Sequence, residues 1–246
     1  MNRQAQGVIM LLFGGAILKA SVTDLYLRYV KEGLRPFLIV AGLLLVAAAV
    51  MTLVYDLRGE RTPAEPHHGD DDDDGHGHAH HEPRVGWLLI LPVLGLLLVA
   101  PPALGSYAAG QAGSVLSAQN ADSVYPPLPA GDPAPVGLLD YASRAVFDNG
   151  TSLNGRNLQL TGFVTTGADG QPMLARIILS CCAADGRPIK VGLTGDVPSS
   201  VPADTWVQVL GTYTNRTAKD PVNDAVVPYL AVTSWKQIEA PKQQYE

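Results

Sequence analysis

Apolar and polar positions follow two different rhythms along the chain, and the change between them divides it. In the first 110 residues, apolar side chains come in long unbroken runs. Gly7 to Leu18 reads GVIMLLFGGAIL and continues through Ala20, Val22, Leu25 and Leu27, although Lys19 and Asp24 fall in its second half. Pro36 to Tyr55 reads PFLIVAGLLLVAAAVMTLVY without a charge. Val85 to Ala100 reads VGWLLILPVLGLLLVA and carries on past Pro101 and Pro102 to Tyr107. Each run approaches the ~20 residues that a bilayer core demands of a helix, so three transmembrane helices are expected. Lys19 is expected to reach the headgroups and Asp24 to lie at the interface.

Beyond residue 137 the rhythm shortens. Leu139, Ala142, Val146 and Phe147 recur at helical spacing ahead of Asn149-Gly150, which predicts one short amphipathic helix over Asp140 to Phe147. Five strand-like runs follow, Asn157 to Thr165, Met173 to Ser180, Pro188 to Leu193, Thr205 to Tyr213 and Val226 to Trp235, separated by turn clusters. Gly162 and Gly211 interrupt the first and fourth runs, where a curved strand can bend without a side-chain clash. The expected fold class is α + β: three N-terminal spans followed by a small all-β domain, an OB-like barrel, with a simple β-sandwich as the alternative. Three regions result: a transmembrane region over 1–110 with a loop at 56–84, a tether over 111–139, and a soluble β domain over 140–246. The tether is rich in Ala, Gly, Ser and Pro and lacks a basic residue.

Basic residues are nearly balanced between the two faces that three spans create. Arg3, Arg58, Arg61 and Arg84 stand against Arg28, Lys31 and Arg35, and nothing basic follows the third span until Arg144. The uncharged stretch after Tyr107 favours a multi-pass cell-membrane protein whose C-terminal domain is extracytoplasmic. An N-terminal signal peptide is the rival reading of the first run, but no small-residue cleavage pattern follows it.

Charge is local. The net charge of −6 owes five units to Asp70, Asp71, Asp72, Asp73 and Asp74. Every histidine of the chain flanks that run: His67, His68, His76, His78, His80 and His81. Neutral imidazoles spaced by Gly and Ala on a flexible loop, with carboxylates nearby, suit loose binding of a borderline divalent ion such as zinc. A solvated acidic linker is the plainer alternative.

Both cysteines, Cys181 and Cys182, are adjacent, at the end of the apolar run in RIILSCCAADGRPIKVGL. Neighbouring thiols allow a strained ring disulfide, a two-thiolate grip on a soft metal or metalloid, or plain packing. With no histidine and no third cysteine after residue 140, a closed zinc site would need carboxylates such as Asp185 or a partner chain. A barrel of this kind often binds nucleic acid, but nine Lys and Arg against ten acids from residue 140 onward leave no basic surplus for phosphates. The domain has no histidine for a hydrolytic triad, no Gly-rich phosphate loop and no nominee for a general acid or base, so a non-enzymatic role is expected.

Three segments carry a family resemblance: Tyr29 to Val46, YVKEGLRPFLIVAGLLLV; the charged, histidine-bearing loop; and, most specifically, Arg176 to Pro188, RIILSCCAADGRP. In these the chain resembles the YcgQ-like family of bacterial membrane permease subunits, which are usually paired with a larger YcgR-like permease. The resemblance implies an accessory subunit that works beside a permease in the bilayer, suggests an association with metal handling, and gives Cys181 and Cys182 a functional role. Asp185 and Arg176 are then supporting groups, the first for turn formation and the second for strand-edge pairing. An envelope thiol redox protein using the two cysteines, and a purely structural scaffold, are the alternatives.

Overall fold

The alternating runs after residue 150 close into a barrel. In the computed structural model, which describes residues 3–59, 95, 99, 101–116, 125–167 and 169–246, the strands are β1 (Ala134–Pro135), β2 (Leu158–Thr166), β3 (Pro172–Ile178), β4 (Arg187–Gly195), β5 (Trp206–Lys219) and β6 (Val226–Gln237). The sheet order is β1-β2-β3-β4-β6-β5, and β5 pairs back with β2, so the five strands β2 to β6 form a closed, OB-like barrel. Four of its pairings are antiparallel, while β4 and β6 run parallel. Closure pairs the first half of β2, Leu158 to Phe163, with β5, while its second half, Phe163 to Thr166, pairs with β3. The glycines serve that curvature: a Cβ on Gly211 would collide with the Ala231 carbonyl oxygen, and one on Gly162 would lie 2.6 Å from the Ala175 carbonyl oxygen. The β5–β6 register slips at Leu210/Gly211, as expected of a bend marked by glycine.

The barrel interior is filled by Leu158, Leu160, Leu174, Val191, Val207, Val209 and Leu230, all fully buried. Each contributes roughly 1.5–3 kcal/mol relative to an exposed side chain. One helix, Leu138–Phe147, packs on them through Leu138, Tyr141, Ala142 and Ala145, and the Tyr141 hydroxyl donates to the Tyr229 carbonyl at 2.6 Å. Gly137 offers this helix no capping side chain. The Glu246 carboxylate takes that place, accepting from the Leu138 and Leu139 amides at 2.9 and 3.1 Å, where an anion meets orphaned N–H groups and the positive end of the helix dipole.

The chain divides into two compact units, Met1–Tyr26 with Gly33–Pro101 and Leu27–Glu32 with Pro102–Glu246. The first holds helices α1 (Arg3–Val22) and α2 (Arg35–Gly59). They pack closely where side chains are absent, since a Cβ on Gly14 would lie 2.8 Å from Val46 Cγ2 and one on Gly42 2.8 Å from Leu18 Cγ. Asp24 stands 4.0 Å from Arg35 as an exposed pair. Of the three expected spans, one is present among the described residues: the helical run Glu32–Asp56 is long and apolar enough to cross a membrane, and it leaves Phe37, Leu44 and Met51 about 70% exposed. The first run falls short, because its helix is apolar only over Gln6–Val22, with Arg3 and Gln4 ending the apolar stretch on one side and Thr23-Asp24 on the other. The third lies almost wholly outside the described residues.

In the second unit, helix α3 (Ser106–Gln111) begins on Asp204, whose carboxylate accepts from the Ser106 amide at 2.5 Å and the Ser106 hydroxyl at 2.7 Å. The helix Leu138–Phe147 is α4 in chain order. The described parts of the expected tether lie on the barrel. Val115 N donates to Pro188 O at 2.9 Å, Ser114 N to the Asp220 carboxylate at 3.1 Å, and Ala134 N to Asn157 O at 2.8 Å. Beneath them, Lys190 and Asp220 form a buried ion pair at 2.8 Å.

Candidate functional site

Strands β3 and β4 pair up to Ile178 and Arg187, so residues 179–186 form the loop that joins them. Its entry is anchored by Leu179, 1% exposed in a small core with Phe163, Ile177, Trp206 and Tyr245, and its amide donates to the Glu246 carbonyl at 3.0 Å. Ala183–Asp185 then make a single 3-10 turn capped by Cys182. The spacing in Cys-Ala-Ala-Asp is that of a capping box, with the capping residue three positions ahead of a carboxylate. Asp185 folds back over the turn: Oδ1 accepts from Ser180 N at 2.8 Å, and Oδ2 from Cys181 N at 2.8 Å and Cys182 N at 3.3 Å. Those amides orient the carboxylate and place it beside the thiols.

Cys181 Sγ donates to Asp185 Oδ2 at 2.9 Å and lies 3.7 Å from Cys182 Sγ. The two sulfurs are free thiols rather than a disulfide; Cys181 is exposed and Cys182 half-buried. The donor atoms of Cys181, Cys182 and Asp185 lie within 4.8 Å of one another, the arrangement of a metal-ligand group. The carboxylate's acceptance of the Cys181 thiol, with the second thiol beside it, pushes Cys181 up to about 11. The same hydrogen bonds, from the Cys181 thiol first and then the Cys181 and Ser180 amides, hold Asp185 down to about 2. A resting thiolate is therefore disfavoured at Cys181, and an ionised carboxylate is favoured beside it.

Sequence reasoning brings Asp185 to the thiols, and the structure places it there. Arg176 goes elsewhere. Its guanidinium donates to Gln243 O at 2.8 Å and stands 3.4 Å from the Glu246 carboxylate and 5.7 Å from the centre of the Trp206 ring, fastening the C-terminal tail to β3. His67, His68, His76, His78, His80, His81 and Asp70 to Asp74 lie outside the described residues.

The neighbours of the loop on its other side are a surprise of sequence distance. Leu27–Glu32, which the chain places between α1 and α2, belongs to the barrel's unit. Val30 forms an antiparallel bridge with Cys182; Lys31 N donates to Cys181 O at 3.0 Å, and Ala183 N to Tyr29 O at 2.6 Å. Tyr245 adds a further tie, its hydroxyl donating to Arg28 O and accepting from Leu104 N, both at 2.8 Å. No periodicity in a six-residue link announces such pairing. Two cavities of the barrel unit lie away from the cysteines: one of about 180 Å³ over Lys190, Asp220 and Tyr229, and one of about 480 Å³ along Arg28, Phe163, Asp204 and Trp206. The thiols stand at the surface, where an ion or a partner can reach them without entering a pocket.

Comparison with curated proteins and with solved structures gave no match. Residues 142–246, which include the whole cysteine loop, match the DUF1980 C-terminal domain, a domain of unknown function, and this similarity fits the family resemblance carried by Arg176 to Pro188.

Proposed function

We propose that this protein is a non-enzymatic, membrane-anchored accessory subunit of a permease, whose barrel offers a thiophilic divalent ion, zinc first, a surface site made by Cys181, Cys182 and Asp185. The observation that carries the reading is the convergence of two sulfurs and a carboxylate oxygen within 4.8 Å on one turn. A tetrahedral ion with metal–sulfur bonds of ~2.3 Å spans its two thiolates at about 3.8 Å. The 3.7 Å between the sulfurs already meets that requirement. Three donors leave one tetrahedral position for water, for a partner's side chain or for a group that hands the ion on, and open positions suit transfer better than storage.

Anchoring rests on α2, and the finer arrangement, a multi-pass protein with three spans and an extracytoplasmic barrel, rests on the sequence. The pairing with a YcgR-like permease comes from the resemblance alone. The histidine and aspartate loop would then gather divalent ions loosely at the opposite face.

The thiol redox alternative needs a thiolate activated by a cation or a helix N-terminus; Cys181 has a carboxylate instead, which favours the ion-binding reading. The deciding measurement is zinc competition against a chromophoric chelator, using the full chain in detergent. Cys181→Ser with Cys182→Ser is expected to remove one site, and deletion of 67–81 to remove only weaker ones. An unchanged titration in both variants would eliminate metal handling.

A further inference from the structure

Two successive peptide planes in the cysteine loop are held at both edges. In the plane between Cys181 and Cys182, the carbonyl accepts from Lys31 N at 3.0 Å while the N–H donates to Asp185 Oδ2 at 3.3 Å. In the next plane, between Cys182 and Ala183, the N–H donates to Tyr29 O at 2.6 Å while the carbonyl accepts from Asp185 N at 3.0 Å. One edge of each plane thus belongs to Asp185 and the other to the Tyr29–Lys31 segment. A rigid amide cannot turn at one edge without turning at the other.

Ion binding disturbs one of those edges. The sulfurs are already spaced for a tetrahedral ion, but the carboxylate is not: Asp185 Oδ2 sits 2.9 Å from Cys181 Sγ as a hydrogen-bond acceptor. A sulfur and an oxygen bound to one tetrahedral zinc stand about 3.6 Å apart, from metal–ligand distances of ~2.3 and ~2.1 Å. When both thiol protons leave to solvent and the ion takes their place, the carboxylate has to recede from Cys181 Sγ by roughly 0.7 Å. Its bond to Cys182 N, at 3.3 Å the longest of its three amide bonds, is the first to be strained.

The geometry points to a coupling between this site and the link between α1 and α2: an ion ligated by Cys181, Cys182 and Asp185 loosens Tyr29–Lys31 from the loop, so that the link reads the occupancy of the thiol site. This inference rests on the ion-binding reading of that site. Its direction follows from the shared planes, since Cys181 O is best placed for Lys31 N while Asp185 holds the Cys182 edge of the same amide, and releasing that edge loosens the hold at the other. Coupling between sites is reciprocal, so freeing the segment must tighten ion binding by the same factor by which the ion frees the segment.

The test is hydrogen exchange on the full chain in detergent, with and without saturating Zn²⁺, followed at the Lys31 and Ala183 amides. Exchange at both is expected to rise about fivefold or more on zinc addition, with no rise in Cys181→Ser with Cys182→Ser. Lys31→Pro, which deletes the donor to Cys181 O, is expected to bind zinc more tightly by a similar factor. A zinc site that is lost in Cys181→Ser with Cys182→Ser, together with unchanged exchange at Lys31 and Ala183 in the wild type, overturns the coupling and leaves the ion site standing. A rise that persists in the double serine variant also overturns it, because the effect then arises elsewhere. A wild-type zinc titration that the double serine substitution leaves unchanged overturns both readings together.

Discussion

The buried pair of Lys190 and Asp220 offers the sharpest quantitative check on how the barrel holds its flanking chain. Lys190 is 6% and Asp220 1% exposed, their charges are 2.8 Å apart, and Lys190 Nζ also donates to Ala112 O at 2.9 Å. Lys190→Met keeps most of the stem volume but deletes the ammonium. Removing one partner of a buried pair costs about 3–5 kcal/mol, since the remaining charge stays buried without its counter-charge. Asp220 would retain the Val222 and Ser114 amides at 2.9 and 3.1 Å, which places the cost at the lower end, about 3 kcal/mol. For a domain of roughly 150 residues that corresponds to a fall in Tm of about 6–12 °C. Asp220→Asn added to Lys190→Met removes the stranded charge while keeping an acceptor oxygen, so the double variant should recover about 1–2 kcal/mol, a coupling of the size neighbouring groups show. Urea titration of the full chain in detergent, followed by tryptophan fluorescence, reads both quantities, with Trp206 and Trp235 on barrel strands. A cost below about 1 kcal/mol for Lys190→Met, or no recovery in the double variant, would refute the view that this pair pins residues 112–114 to the barrel.

The same pair sets an acid limit. Burial pushes the Asp220 carboxyl up, but the Lys190 hydrogen bond, the Val222 and Ser114 amides and the Lys190 charge outweigh it and hold the carboxyl below its ordinary range. A depressed carboxyl stabilises the fold above its unfolded value of about 3.9, and that contribution is lost as pH falls through the folded value, so Asp220→Asn should flatten the stability profile below about pH 4. At the cysteine loop, Asp185→Asn removes the group that pushes Cys181 up to about 11; iodoacetamide labelling of Cys181 should then set in at lower pH than in the wild type, and an unchanged labelling profile would show that the carboxylate does not control the thiol. Tyr245→Phe deletes the bridge from Leu104 N to Arg28 O and should cost about 1 kcal/mol, the net worth of a hydrogen bond between partly exposed groups. Gly211→Ala drives a methyl group into the Ala231 carbonyl, an overpacking cost of about 1–3 kcal/mol visible by the same urea titration.

The barrel was legible because its causes are local. Leu158 and Leu160 alternate with Asn157, Gln159 and Thr161, and Val207 and Val209 flank Gln208, and that period of two assigns strands and inward faces. β5 runs on to Lys219, past the expected end at Tyr213, because Thr217, Ala218 and Lys219 pair with Pro228, Val227 and Val226; the polar Thr214–Lys219 stretch gives no inward stripe from which to read that extension. β1 is two residues long and is defined only by its parallel partner. The α2 span was legible from an uncharged run, whereas the first run shows what a run length conceals: the helix Arg3–Val22 is long enough, but polar residues at its ends shorten the apolar part.

The candidate site divides along the same line. Cys181, Cys182 and Asp185 lie within five residues, so the carboxylate's place over the turn follows from capping-box spacing and was open to sequence reasoning. Arg176, five residues before Cys181, looked equally close, but β3 is extended there and its side chain turns to Gln243 and Glu246. Tyr29–Lys31 lies some 150 residues before the thiols, and its bonds to Cys181 and Ala183 use backbone groups alone. Every residue but proline offers the same amide and carbonyl, so no choice of side chain at 29–31 could signal that contact. What the side chains at 181–185 do signal is a turn whose amide planes have their Asp185 edge committed, leaving Cys181 O and Ala183 N turned outward and available to any extended segment. The link takes that position, and the chemistry of the thiols and the geometry of the link meet in two peptide planes for that reason.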